Sequence, residues 1–106
     1  MAGAPHYFEP DPLTRSRPGS TNLTLPDVTL TLATDAAVFS AGAVDAGTKL
    51  LLLDGPRPAD EPGADLLDLG CGYGPIALTL GRRAPAATVW AVDVNRRALA
   101  LCAANA

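Results

Sequence analysis

The residues of this chain best suited to chemistry lie in one short segment, residues 68–75, which we name the glycine loop. Its sequence is DLGCGYGP, in which three glycines alternate with other residues and an acid, Asp68, stands two positions before the first glycine. Glycine is needed where φ is positive or where a ligand must approach the backbone closely. The spacing therefore predicts a tight ligand-binding turn with a carboxylate at its start.

A second acid, Asp93, follows 19 residues after Gly74 and ends a short apolar run. A carboxylate at the end of a strand can accept hydrogen bonds from both hydroxyls of a ribose. The dinucleotide fingerprint G-x-G-x-x-G/A does not fit, because its third position falls on Pro75, and no lysine of the P-loop type follows. The pattern favours a nucleoside ligand with an amino-acid tail, and a nicotinamide-dependent oxidoreductase is the less favoured alternative.

Some of these residues also have purely structural interpretations. Asp93 or Asn95 can cap the helix that follows, which is a frequent role of both residue types. Cys71 fits the loop by its small size, since no partner is evident that would make its thiol catalytic. Tyr73 is interpreted as a wall of the loop and not as an acid or base.

The elements that must position the glycine loop alternate between strand and helix. The predicted strands are 28–34, with an earlier start at residues 23–25 as the alternative, 65–69 and 88–92. The predicted helices are 45–54, 76–83 and 95–106. The order β-α-β-α with short loops is typical of a parallel α/β sheet, whose strands are apolar on both faces. Trp90, in the last of these strands, is assigned to the core.

The first part of the chain differs from the rest in composition. Residues 1–27 contain five prolines, which oppose a regular helix, and we expect an extended N-terminal arm there. The aromatic cluster at residues 6–8 is expected to anchor this arm on a surface.

The glycine loop resembles motif I of the class I S-adenosylmethionine-dependent methyltransferases, and residues 91–95 (AVDVN) resemble their motif II. Upstream, residues 34–51 resemble the segment before motif I in the methyltransferase small domain family, which includes 16S ribosomal RNA guanine-N2-methyltransferases. The resemblance covers residues 28–106. It implies a Rossmann-like class I methyltransferase sheet, incomplete in this chain, with S-adenosylmethionine as cofactor and residues 28–106 as its cofactor-binding part.

The resemblance also assigns roles to single residues. The glycine loop would lie against the methionine part of the cofactor, largely through its backbone. Asp68 would fix the loop and the amino group of the ligand, and Asp93 would hold the ribose hydroxyls. Val94 would pack on the adenine, while Phe39 and Thr48 would help to enclose the cofactor. The candidate cofactor-binding residues are therefore Asp68, Gly70, Cys71, Gly72, Gly74, Asp93, Val94, Phe39 and Thr48.

The sequence lacks one motif of the family. An Asn-Pro-Pro-aromatic motif orients the amino group of the target base there, and none occurs in this sequence. The resemblance thus assigns no catalytic residue to these 106 residues, which we expect to be the N-terminal part of a longer enzyme and inactive alone. The intact protein is expected to methylate a nucleobase amino group, with guanine N2 of ribosomal RNA as target and RNA or another nucleic acid as partner. A cofactor-binding fragment without catalysis is the alternative.

Composition sets bounds on these expectations. The net charge is −3 and no basic patch dominates, so Arg82-Arg83 and Arg96-Arg97 are predicted to be solvated helix surface. Although 48% of the residues are apolar, 20 are alanines, which release little apolar area on burial. Cys71 and Cys102 are expected to be free thiols, and a single histidine argues against a metal site. No signal peptide or membrane-length apolar run is present, so a cytoplasmic location is expected.

Overall fold

The computed structural model describes residues 16–38 and 40–106, which contain two small sheets and three helices. The elements are β1 (Pro18–Thr24), β2 (Thr29–Asp35), α1 (Ala46–Asp54), β3 (Asp65–Leu69), α2 (Pro75–Arg83), β4 (Thr88–Val92) and α3 (Arg96–Asn105). Apart from β1, every element begins and ends within one residue of the predicted range.

The strands β1 and β2 form an antiparallel hairpin, which corrects the prediction of an extended arm up to residue 27. The pairing runs along all of β1, beginning with Pro18 opposite Asp35. Pro18 is the first residue of its strand and Pro26 lies in the turn, two places where proline removes no ladder hydrogen bond. These prolines therefore flank a strand. The predicted aromatic anchor at residues 6–8 lies outside the described residues.

The strands β3 and β4 form a parallel sheet, as the β-α-β-α order predicts, with Leu67 opposite Trp90. Because both strands run in one direction, their carboxyl ends meet at the same edge of the sheet. There the Val92 carbonyl accepts the N–H of Gly70 at 2.7 Å and the N–H of Cys71 at 2.9 Å. These bonds place the glycine loop directly beside the end of β4.

Within the described part of the chain, helices cover one face of this parallel sheet. The helices α2 and α3 pack on the face that carries Val89 and Ala91. The opposite face is bare, and its side chains have exposed fractions of 64% (Leu67), 78% (Leu69), 57% (Trp90) and 45% (Val92). The assignment of Trp90 to the core is therefore wrong. An apolar pattern shows which residues disfavour water, but it does not show whether a partner is present to cover them.

The main core lies between the hairpin and the helices. Leu23 and Leu32 of the hairpin pack with Leu52 of α1 and with Tyr73 of the glycine loop. The Asn105 side chain joins α3 to this core, because its amide donates to the Ala33 carbonyl at 3.0 Å and to the Tyr73 carbonyl at 2.8 Å. No helix in the described residues is both long and apolar enough to cross a membrane.

The side chain of Arg83 fastens α2 to α1 and to the hairpin turn. Its guanidinium donates twice to the Asp27 carboxylate, at 2.8 and 2.9 Å, and once to the Leu52 carbonyl at 2.8 Å. Pro56, four residues after Leu52, has no N–H to offer this carbonyl, so Arg83 supplies a donor at the end of α1. The prediction of a solvated surface charge is wrong for Arg83, whose side chain is 10% exposed.

Candidate functional site

The glycine loop turns from β3 into α2 through three left-handed backbone conformations. The φ angles are 78° at Gly70, 56° at Gly72 and 108° at Gly74, a region that other residues rarely adopt. A Cβ added at Gly70 or Gly72 would meet no atom within 4 Å, whereas one at Gly74 would lie 3.0 Å from the Cys102 sulfur and 3.2 Å from Leu78. Gly70 and Gly72 therefore leave room for a ligand, while Gly74 allows α2 and α3 to pack closely.

A cleft of about 420 Å³ opens at the carboxyl ends of β3 and β4. Its walls come from the glycine loop, from the residues after β4 and from the segment before α1. The predicted cofactor-binding residues that the structure brings together in these walls are Asp68, Gly70, Cys71, Gly72, Asp93, Val94 and Thr48. Gly74 is not among the lining residues, and Phe39 lies outside the described residues.

The cleft also contains residues to which the sequence analysis gave no part in a ligand site, among them Val38, Ser40 and Asp45. Asp45 is the N-cap of α1, and its side chain accepts the N–H of Thr48 at 3.1 Å. An acid at the first residue of a predicted helix is a recognisable cap signal, so the capping role of Asp45 could have been found. Val38 and Ser40 approach the cleft through tertiary packing, for which a single sequence carries no signal.

Asp68 is buried at the end of β3, and its Oδ2 has no hydrogen-bond partner in the described part of the chain. Burial raises the pKa of this carboxyl, the N–H of Ala77 lowers it and the charge of Asp93 raises it further. A buried polar atom without a partner costs about 1–3 kcal/mol. The cleft therefore favours a ligand that brings a donor to Asp68, and a cationic amine also stabilises the charged carboxylate.

Asp93 holds the glycine loop to the end of β4. Its Oδ2 accepts the N–H of Gly72 at 2.9 Å, and its Oδ1 accepts the N–H of Asn95 at 2.8 Å. Asn95 and not Asp93 caps α3, because the Asn95 side-chain oxygen accepts the N–H of Ala98 at 3.1 Å. Each oxygen of a carboxylate has two lone pairs, so Asp93 can still accept from a ligand. The exposed side chain of Val94 adds apolar surface next to this carboxylate.

Cys71 is buried, and its thiol lies 3.5 Å from the Gly72 carbonyl as a weak donor. Burial, followed by contact with Cys102 and the nearby charges of Asp93 and Asp68, raises the pKa of Cys71 to about 12. Since the thiolate is the reactive form, this cysteine is a poor nucleophile. Cys71 and Cys102 are both free and pack in one cluster with Ala77. The interpretation of Cys71 as a residue that fits the loop by its size agrees with this environment.

The charge of the cleft distinguishes between ligand classes. The described residues that line it include the acids Asp45, Asp68 and Asp93, and none of them is a lysine, arginine or histidine. Carboxylates repel a pyrophosphate and attract a positively charged group. This arrangement disfavours a nicotinamide dinucleotide and favours a ligand that carries an ammonium or another cation.

Comparison with known proteins identifies related chains. The family described as methyltransferase small domain matches residues 29–106. The chain is 38% identical over 101 residues to the uncharacterized protein YbxB of Bacillus subtilis (strain 168), an alignment that covers 95% of this chain and 49% of YbxB. It is 46% identical over 78 residues to ribosomal RNA small subunit methyltransferase C of Hahella chejuensis (strain KCTC 2396), covering 74% of this chain and 22% of that protein.

A solved structure has the same fold over most of the chain. The 16S rRNA N2 methyltransferase RsmC of T. thermophilus, in complex with AdoMet and guanosine, matches with a TM-score of 0.65 and 31% identity. The match covers 87% of this chain and 24% of that chain. The likeness confirms the predicted Rossmann-like α/β sheet, of which this chain contains a part. The chain spans about half the length of YbxB and less than a quarter of the two ribosomal RNA methyltransferases.

Proposed function

We propose that this chain, which belongs to the methyltransferase small domain family, is part of a protein that transfers a methyl group from S-adenosylmethionine to a nucleobase amino group. The proposed target is guanine N2 of ribosomal RNA. The proposal is supported by a relative that methylates ribosomal RNA and by the AdoMet and guanosine bound to RsmC. Because ribosomal RNA is the target, the proposed place of action is the cytoplasm.

The observation that carries the proposal is the unpaired Oδ2 of buried Asp68 in the same cleft as Asp93. S-adenosylmethionine has an ammonium for the first carboxylate and two ribose hydroxyls for the second. The open space in front of Gly70 and Gly72 is where a side chain would otherwise lie. The residues of the cleft therefore fit this cofactor in charge, in hydrogen-bonding capacity and in backbone access.

Each part of the cleft would hold one part of the cofactor. Bound S-adenosylmethionine supplies a methyl group activated by the sulfonium charge. Asp68 accepts hydrogen bonds from the ammonium of the methionine part, which the backbone at Gly70 and Gly72 approaches closely. Asp93 accepts hydrogen bonds from the ribose hydroxyls while it keeps the glycine loop in place. Val94 offers apolar surface to the adenine.

Binding of the cofactor is only part of the reaction, because the amine must also be oriented for in-line attack on the methyl group. We assign no residue of this chain to that task, since the sequence contains no Asn-Pro-Pro-aromatic motif. The groups that orient the base are proposed to lie outside these 106 residues. On this proposal the 106-residue chain binds the cofactor and does not methylate RNA alone.

The test is a calorimetric titration of the 106-residue chain with S-adenosylhomocysteine and, separately, with NAD. We expect S-adenosylhomocysteine to bind and NAD to give no heat of binding, because the acidic cleft repels the pyrophosphate. Binding of NAD alone would overturn the proposal in favour of the oxidoreductase alternative. To test the catalytic part, the chain is incubated with labelled S-adenosylmethionine and ribosomal RNA. Methyl transfer in this assay would show that the chain is a complete enzyme and not a cofactor-binding fragment.

A further inference from the structure

The described residues of the segment between β2 and α1, residues 36–38 and 40–45, contribute one wall of the cleft, and we name them the crossing segment. Its described residues are turns and bends, without a strand or helix. Two of its described polar residues, Ser40 and Asp45, belong to the cleft lining. The segment has only local turn bonds, such as that of the Val38 N–H to the Asp35 carbonyl, so side chains from other elements contribute to its position.

One of these side chains is that of Tyr73 in the glycine loop. Its hydroxyl donates to the Ser40 carbonyl at 3.0 Å, and its ring is among the largest fully buried side chains. Burial raises the pKa of Tyr73, and the charge of Asp45 raises it further. The hydroxyl therefore keeps its proton and remains a donor at neutral pH.

Asn95, the cap of α3, makes a second bond to the crossing segment. Its side-chain amide donates to the Ala37 carbonyl at 3.3 Å, while its backbone N–H is held by Asp93 at 2.8 Å. Asn95 is 1% exposed, so its side chain is fixed by packing as well. The two bonds reach the crossing segment from the two loops that line the opposite side of the cleft.

The backbone of Ser40 adopts a conformation that residues with a Cβ disfavour. The φ angle of Ser40 is 57°, and among the described residues Ser40 is the only non-glycine residue with a positive φ. Residues with a Cβ pay a steric penalty in this region, so such a conformation persists where the surroundings impose it. Here the Ser40 carbonyl is the group that Tyr73 holds.

We propose that Tyr73 and Asn95 are positioning residues that hold the crossing segment against the cleft, so that affinity for the cofactor depends on the Tyr73 hydroxyl and the Asn95 amide acting through that segment. The inference rests on the proposed function and deepens it. Neither group is proposed to take part in methyl transfer. Their effect would be to keep the cleft formed before the ligand arrives, which reduces the ordering cost of binding.

The test is the affinity of the 106-residue chain for S-adenosylhomocysteine in the Tyr73→Phe variant, which loses only the hydroxyl. We expect the dissociation constant to rise about tenfold, as for one lost hydrogen bond that holds the site. Thr79→Val is the matched control, because it also removes a buried hydroxyl that donates to a backbone carbonyl, that of Pro75 at 2.7 Å. Thr79 does not line the cleft, so the control should bind within about twofold of the unaltered chain.

Asn95→Asp is a second, independent variant. It keeps the side-chain oxygen that caps α3 but has no amide to donate to the Ala37 carbonyl. We therefore expect its dissociation constant for S-adenosylhomocysteine to rise as well. All titrations are made well below the melting temperature of each variant. Amide hydrogen exchange adds a local readout: the N–H of Val38 and of Ala43, which bond to the Asp35 and Ser40 carbonyls, should exchange faster in Tyr73→Phe, whereas amides of β3 should not.

The outcomes separate this inference from the proposed function. If the unaltered chain does not bind S-adenosylhomocysteine, both are overturned. If it binds, and Tyr73→Phe and Asn95→Asp bind equally well, only the positioning role is refuted. An equal loss of affinity in Thr79→Val, or faster amide hydrogen exchange throughout the chain, would also refute the positioning role, because the substitutions would then act through the general stability of the fold. Weaker binding with faster exchange confined to the crossing segment supports it.

Discussion

At the residue scale, Asp93 has a structural task and a proposed binding task, and one substitution tests both. Its carboxylate bonds two backbone N–H groups, at Gly72 and Asn95, in the wall of the cleft. We predict that Asp93→Ala weakens binding of S-adenosylhomocysteine by about 1–3 kcal/mol, the usual loss for hydrogen bonds to a charged group. Calorimetric titration measures this difference.

A matched control for Asp93 is available in a loop away from the cleft. Asp60 also accepts a backbone N–H, that of Ala86 at 2.9 Å, and is exposed. Asp60→Ala should leave the affinity for S-adenosylhomocysteine unchanged. An unchanged affinity in Asp93→Ala itself would contradict the role of this residue in holding the ribose.

We predict that Asp68 makes binding of the cofactor depend on pH. Because burial raises the pKa of its carboxyl, Asp68 takes up a proton at a higher pH than an exposed aspartate does. The neutral form pairs less well with an ammonium, so we predict that affinity for S-adenosylhomocysteine falls as the pH is lowered through the raised pKa. In Asp68→Asn the affinity should be low and should lack this pH dependence. A pH dependence that is the same in both proteins would contradict the assignment.

The raised pKa of Asp68 makes the stability of the ligand-free chain change with pH in the direction opposite to that of ligand affinity. A carboxyl with a higher pKa in the folded state favours folding most when it is protonated in both states. The contribution of Asp68 to stability is therefore fully present below the ordinary aspartate pKa and is lost as the pH rises through the raised value. The site thus lowers the stability of the empty fold near neutral pH, and a cation bound at Asp68 would restore it.

At the scale of the elements, Arg83 connects α2 with the end of α1. We predict that Arg83→Ala lowers the free energy of unfolding by about 1–3 kcal/mol, mainly because the buried Leu52 carbonyl loses its donor. Thermal or denaturant unfolding measures the change. Arg82→Ala is the control, because Arg82 lies on the exposed side of the same helix and should have little effect. Equal stability of the two variants would show that the bond to Leu52 is unimportant.

The elements around the glycine loop could be predicted from the sequence because their signals are local. Short segments rich in leucine or valine, with turn residues on both sides, define β3 and β4, and Pro75 marks the start of α2. The sequence does not predict β1 as a separate strand over Pro18–Thr24, because prolines at its first residue and in the turn look like those of an irregular arm. In the site, the spacing along the sequence identifies Asp68, Asp93 and the glycines of the glycine loop. The position of Ser40 in the cleft and its hydrogen bond with Tyr73 depend on contacts between residues far apart in the chain, which the sequence does not show.

At the scale of the whole molecule, the bare face of the parallel sheet is the most unusual surface. Parallel strands are generally buried on both faces, yet Leu67 and Trp90 are more than half exposed here. An apolar sheet face with unpaired edges promotes association. We predict that the 106-residue chain associates as its concentration rises and that the double variant Leu67→Lys, Trp90→Lys stays monomeric. Sedimentation velocity measures the difference.

A control variant shows whether association depends on the bare sheet face or on any exposed leucine. Leu50 of α1 is 59% exposed and lies outside the sheet, so Leu50→Lys should associate as the unaltered chain does. If the unaltered chain remains monomeric at high concentration, or if Leu50→Lys suppresses association equally, the bare sheet face is not the surface responsible.

A two-dimensional amide NMR titration with S-adenosylhomocysteine shows whether the cleft at the ends of β3 and β4 binds the cofactor, as we propose. We expect saturable shifts of the amide signals of Gly70, Gly72 and Val94, with little change along β1. Signals that do not move at millimolar ligand, or shifts confined to residues outside the cleft, would contradict it.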